Sequence, residues 1–227
     1  MLTTISKIIT GDTFKKSGNI EATPIIKNCA KYNKEIFNNY DDVNIHDTDE
    51  ALYIIIEGTD TLLNLAYNMF MTTNKHGIHS GYYKHAVECI HDYKLFDLMT
   101  SANVDKPIVL SGYSLGAASA MVVLHEFMKE HAALNKQIEL VLFGCPRVGN
   151  RTFHDSFMSL CKDIPMVSFE NGNDIVCRMP SVWIGYRNVV PTTPLKAKYD
   201  GIISSVFNHH IDRYVQNIKQ LKKPNDD

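Results

Sequence analysis

From Leu52 onward the chain alternates between two hydrophobic periods, and this alternation restricts its fold more than any other feature. Short apolar runs occur at Leu52–Ile56, Pro107–Leu110, Ile138–Phe143 and Pro165–Phe169. They have strand length and little polar alternation, so they read as strands buried on both faces. Between them lie helical patterns: Tyr83, Ala86, Val87, Ile90 and Tyr93; then Leu115–Met128, rich in Ala, Leu and Met; then Asn150–Leu160. Strand and helix alternating over about 100 residues imply a parallel sheet, because parallel neighbours need a crossover and the crossover helices cover the faces. The expected class is α/β, with a mostly parallel central sheet and helices on both faces.

The flanks fit the same plan. Ile25, Ile26, Cys29, Tyr32, Ile36 and Phe37 predict a helix over about 24–38, with Pro24 in its first turn. Val43–His46 pairs with Leu52–Ile56 across the turn-like Asp47-Thr-Asp49, Gly185–Val190 reads as an edge strand, and His209–Leu221 as a last helix with Ile211, Tyr214, Val215 and Ile218 on one face. No repeat or low-complexity linker interrupts the chain, so residues 1–227 read as a single domain whose polar first 20 residues are loosely attached. Lys and Arg total 23 against 25 Asp and Glu, without a basic patch, which argues against a nucleic-acid partner. No apolar run is long enough for a transmembrane helix, and the N-terminal stretch has no signal-peptide pattern. Cys29, Cys89, Cys145, Cys161 and Cys177 are odd in number and form no C-x-x-C pair. Free thiols in the cytoplasm or another reducing compartment are expected.

The chemistry starts at Gly112-Tyr-Ser-Leu-Gly116, a G-x-S-x-G between a strand and a helix. A direct strand-to-helix turn forces Ser114 into a strained conformation and holds its hydroxyl out at the C-terminal edge of the sheet. The helix that follows offers backbone N–H groups and a positive dipole end to a developing oxyanion.

A serine hydroxyl needs a base oriented by a carboxylate, and in this arrangement the chain order is Ser, acid, His. Asp174 follows the strand 165–169 and so lies on the rim that holds the elbow; Asp200 is the alternative. Asp163 belongs to the far end of the strand, and Asp155 lies within a helix pattern. Among later histidines, His125 and His131 lie along or beyond the helix that leads away from Ser114, and His154 reads as a surface residue. The doublet His209-His210 remains. The backbone N–H of Leu115 is one oxyanion donor, and the loop Glu57-Gly-Thr59-Asp60 is placed to supply a second.

At this point the chain resembles the class 3 lipase family over about residues 45–216. The likeness rests on Gly58-Thr-Asp60, His79-Ser-Gly-Tyr82, Gly112-Tyr-Ser-Leu-Gly116, Phe143-Gly-Cys-Pro-Arg-Val-Gly-Asn150, Asn173-Asp-Ile-Val176 with Pro180, and His209-His-Ile-Asp-Arg-Tyr214. The resemblance implies an α/β-hydrolase fold and a triad of Ser114, Asp174 and His209, the histidine being first in the block His-x-Ile-x-x-Tyr. It also implies oxyanion donors at Thr59 and Leu115, no cofactor, no metal, and a lipid or other ester as substrate. Glu57 stands where the family usually has Arg, and Asn188 where it often has His.

A metal hydrolase is disfavoured: His125 and His131 are six residues apart, about 120° around a helix, and cannot share one ion. A non-catalytic binding protein is disfavoured by the complete triad set. Leu62, Leu63, Leu65, Ala66, Met69, Phe70 and Met71 make Thr59–Met71 apolar enough for a lid that opens at a lipid–water interface.

Overall fold

The computed structural model describes residues 22–39, 41–58, 72–102, 105–134, 137–196 and 202–221. Residues 1–20, Thr59, the lid segment Thr59–Met71 and the alternative acid Asp200 lie outside them.

In chain order the elements are α1 (Pro24–Asn39), β1 (Val43–Asp47), β2 (Leu52–Ile56), α2 (Ser80–Asp92), α3 (Leu95–Ser101), β3 (Ile108–Tyr113), α4 (Leu115–His131), β4 (Ile138–Phe143), β5 (Gly149–Asn150), α5 (Arg151–Cys161), β6 (Met166–Asn171), β7 (Tyr186–Arg187), β8 (Thr192–Leu195), α6 (Ile202–Asn208) and α7 (Ile211–Lys219). Six strands form one sheet in the order β1-β2-β3-β4-β6-β8. β1 runs antiparallel to β2, and every other pairing is parallel.

That order explains the layers. Parallel strands laid down in sequence with right-handed crossovers send every crossover helix to the same face. Residues of α2, α3, α4 and α5 accordingly join Leu52, Ile54, Ile56, Leu110, Leu140 and Leu142 in one core. The opposite face, with Tyr53, Ile55, Val109, Val141 and Phe143, is covered by α1 and α7, the elements that flank the sheet in sequence. β2, β3 and β4 are buried along their whole length, as apolar runs without alternation predict.

Register brings the chemistry to one edge. Ile56 lies beside Gly112, Tyr113 beside Phe143, and Phe143 beside Phe169. The loops after β2, β3, β4 and β6 therefore leave the sheet on a common rim, where open α/β sheets place their sites.

Three expectations need correction. Gly185–Val190 is not the edge strand: Tyr186–Arg187 pairs with Gly149–Asn150 in a separate two-stranded ladder, and the sheet edge is Thr192–Leu195. Pro194 lies within that strand, as an edge position allows. The last helix starts at Ile211, after both histidines, with His210 as its N-cap. Two short helices, α3 and α6, were not anticipated.

Candidate active site

Ser114 ends the β3 run as the N-cap of α4, at φ +57° and ψ −121°. Only a tight elbow places it there. Gly116 lies so close to β2 that a Cβ on it would meet the Ile56 and Glu57 carbonyls, and a Cβ on Gly112 would meet Gly116. The Ser114 N–H donates to the Phe143 carbonyl at 3.0 Å, which ties the elbow to β4. Ser114 is 2% exposed.

His209 lies in the joint between α6 and α7. Its Nε2 is 2.8 Å from Ser114 Oγ, and its Nδ1 is 2.8 Å from Asp174 Oδ2. Asp174 is fully buried in the loop after β6. Its Oδ1 accepts from the Val176 N–H at 2.9 Å, and its Oδ2 also accepts from the Tyr214 hydroxyl at 2.5 Å. Sequence reasoning therefore brought together the three residues that meet here, and the doublet resolves to His209. His210 points elsewhere: it is exposed and its Nδ1 accepts from the Asp212 N–H at 3.4 Å.

The surroundings explain why the histidine stays in place. Gly144, at φ +59°, runs against the imidazole; a Cβ there would lie 3.0 Å from His209 Cε1 and 3.2 Å from Asp174 Oδ2. A set of asparagines ties the acid loop to the base loop. Asn171 Nδ2 donates to the Asn208 carbonyl (2.9 Å), Asn208 Nδ2 to Asn173 Oδ1 (2.7 Å), and Asn217 Nδ2 to Asn171 Oδ1 (2.6 Å). Tyr214 also accepts from the Asn171 N–H at 3.1 Å. Burial, with the nearby acidic groups adding to it, pushes the Tyr214 phenol well above its ordinary range, so it remains a donor to the carboxylate.

In the sequence Tyr214 reads as part of the apolar face of the last helix and not as a partner of the acid, and the asparagines do not stand out. The signal for Tyr214 was its fixed spacing from His209; the asparagines carry none.

Leu115 opens α4, so its N–H belongs to the first-turn donors that a helix leaves unused. A Cβ at Gly58 would lie 3.2 Å from Ser114 Cβ, so the end of β2 passes directly beside Ser114.

Several of the quoted blocks act as brackets. His79 caps α2, its Nδ1 accepting from the Gly81 and Tyr82 N–H groups at 3.2 and 3.4 Å. Asn150 caps α5 through the Thr152 N–H at 2.9 Å. Arg147 reaches the Arg178 and Pro180 carbonyls and, at 2.9 Å, Asn188 Oδ1, fastening the segment that follows the acid loop. The set-aside histidines serve packing or the surface. Buried His125 contacts Ser156 Oγ and Glu126 Oε1, both at 2.9 Å, and His154 pairs with Asp155 at 2.9 Å.

Comparison with known proteins finds lipases and a phospholipase. The chain is 32% identical over 97 residues to a phospholipase A1-IIdelta of Arabidopsis thaliana, a stretch that is 42% of this chain and 23% of that protein. It is 22% identical over 148 residues to a lipase of Rhizopus niveus (62% of this chain, 37% of that one). It is 35% identical over 80 residues to the secreted mono- and diacylglycerol lipase MDL5 of Malassezia globosa (35% and 25%). The chain thus spans well under half the length of these curated relatives.

Among solved structures, the triacylglyceride lipase of Rhizomucor miehei superposes with a TM-score of 0.62 at 18% identity, covering 78% of this chain and 83% of that one. A lipase of Rhizopus microsporus var. chinensis gives 0.59 at 24%, covering 70% and 57%. These likenesses place the fold among the α/β-hydrolases. The family model for lipase (class 3) matches residues 53–183, more than half of the chain and all of the elbow and acid loop, and the protein belongs to that family.

Proposed function

We propose that this protein is a serine hydrolase of lipid-type carboxylic esters, working through an acyl-enzyme on Ser114. The observation that carries this is the unbroken hydrogen-bonded chain Ser114–His209–Asp174, 2.8 Å at each link, on the rim of the sheet. As Ser114 Oγ attacks the ester carbonyl, its proton passes to His209 Nε2. Asp174 holds Nδ1–H and balances the imidazolium; Tyr214 and Val176 hold Asp174. The imidazolium then protonates the leaving alcohol, and water repeats the sequence to release the acid. The N–H of Leu115 and the group at Thr59 receive the oxyanion.

The rim supports a lipid-type substrate. Ile175, next to the acid, is 37% exposed, and Phe207, two residues before the base, is 60% exposed. Large apolar side chains standing in water around a site suit an acyl chain or a lipid surface. A phospholipid head group is the second reading, supported by the match to a protein named phospholipase A1. The five buried free thiols support a reducing compartment.

The test is a fluorophosphonate probe, with a p-nitrophenyl ester chain-length series and a phospholipid panel. Stoichiometric labelling at Ser114 and turnover that grows with acyl length are expected. A folded chain that neither labels nor cleaves any ester overturns the proposal.

A further inference from the structure

One buried phenol at the site has no part in the scheme above. Tyr113 is the last residue of β3 and immediately precedes the nucleophile. Its ring lies on the face covered by α1 and α7 and is 5% exposed. Its hydroxyl donates to the backbone carbonyl of His209. The same ring stacks on the His209 imidazole, with centroids 4.9 Å apart and planes 29° from parallel. Phe37 and Tyr214 meet Tyr113 edge-on at 5.8 and 6.1 Å, which fixes the ring in turn. Burial, reinforced by the Asp174 charge, raises the phenol well above its ordinary range, so it stays a donor.

His209 needs such a hold. It lies outside both flanking helices, and its own N–H is taken by the Val206 carbonyl at 3.1 Å. Its partner Ser114 is 95 residues away in sequence. Tyr113 replaces that long route with one peptide link: the residue that grips the base is bonded to the residue that carries the nucleophile. A leucine would keep an apolar group there without the hydrogen bond, and without a π face that favours the imidazolium formed in each half-reaction.

We propose that Tyr113 is a positioning residue for the base, clamping His209 by its carbonyl and its ring face, so that the end of β3 sets both halves of the Ser–His pair. This rests on the hydrolase reading. The test uses the full chain as wild type, Tyr113→Phe and Tyr113→Leu, each titrated with a fluorophosphonate so that turnover is expressed per active site on a soluble p-nitrophenyl ester. Tyr113→Phe keeps the stack and loses the hydrogen bond; its kcat falls roughly 3–10-fold with KM within about twofold. Tyr113→Leu loses both; its kcat falls more than about 30-fold, KM again changes little, and phosphonate labelling slows in parallel.

A Tyr113→Leu chain that turns over within about twofold of wild type, or whose loss lies wholly in KM, overturns the clamp. If Tyr113→Leu does not fold, Tyr113→Phe decides: wild-type kcat overturns the proposal. A wild-type chain that neither labels nor cleaves an ester overturns the hydrolase reading and the clamp together, whereas a labelled wild type with an unaffected Tyr113→Leu overturns the clamp alone.

Discussion

Ser114 occupies a backbone region that L-residues rarely adopt, and the cost is about 1–3 kcal/mol. This inverts a familiar ranking. Ser114→Ala removes the hydroxyl but keeps the Cβ and its strain; Ser114→Gly removes both. Both variants are expected to lose nearly all ester turnover, while urea denaturation finds the glycine variant more stable than the alanine variant by about 1 kcal/mol. The opposite order would mean the elbow is unstrained. The histidine doublet separates just as cleanly. His209→Ala lowers kcat by roughly 10³-fold or more. His210→Ala leaves turnover within a few-fold of wild type and costs about 0.5–1 kcal/mol of stability, the scale of a helix cap. At Gly144 a methyl group would press on both His209 and Asp174, so Gly144→Ala loses more than about 100-fold in kcat. Near-wild-type turnover by that variant would show that the imidazole has room to move.

At the scale of elements, the last helix stabilises and positions at once, because Tyr214 projects from α7 to Asp174 and Asn217 to the end of β6. The pair α4–α5 offers a pH test away from the site. Burial opposes ionisation of Glu126, yet hydrogen bonds from His125 and Lys129 outweigh it and bring the carboxyl down to about 2. Its folded value lies below its unfolded one. The stability it contributes is therefore present above the ordinary glutamate range and is lost as pH falls through about 2. Glu126→Gln is expected to lower stability by about 1–2 kcal/mol at neutral pH, with the two chains converging as the solution is acidified below the glutamate range. A difference that does not change with pH would show that Glu126 acts through packing.

What the sequence made legible follows from physics. β2, β3 and β4 were readable because both their faces are buried, which leaves an unbroken apolar run. The edge strand Thr192–Leu195 was not, because edge strands admit proline. α6 was missed because Val206 and Phe207, which would mark an inward stripe, are 43% and 60% exposed. The cluster of Ser114, His209 and Asp174 was legible because an elbow, a rim loop and a histidine block each carry local constraints. The bonds that tie Tyr113 and Tyr214 to it join residues 96 and 40 positions apart and leave no local pattern.

For the molecule as a whole, strand order decides which surface carries the candidate site. The crossover helices occupy one face and α1 with α7 the other, so the site is left to the rim of loops, and there Ile175 and Phe207, neighbours in sequence of Asp174 and His209, are exposed. If that rim seats on lipid, Ile175→Ser and Phe207→Ser weaken hydrolysis of emulsified ester by about fivefold or more while a short soluble ester is cleaved at the wild-type rate. Equal losses on both substrates would argue for a pocket role instead.

The separation of nucleophile and base along the chain also has a consequence in time. During synthesis Ser114 leaves the ribosome 95 residues ahead of His209. At about 5–20 residues per second that is a lag of roughly 5–20 s, in which β3, the elbow and α4 have been made while their base has not. Until α7 docks, the serine is an ordinary alcohol. On the hydrolase reading, a nascent or truncated chain that still lacks His209 is therefore inert toward esters, and reactivity arrives only with the completion of the fold.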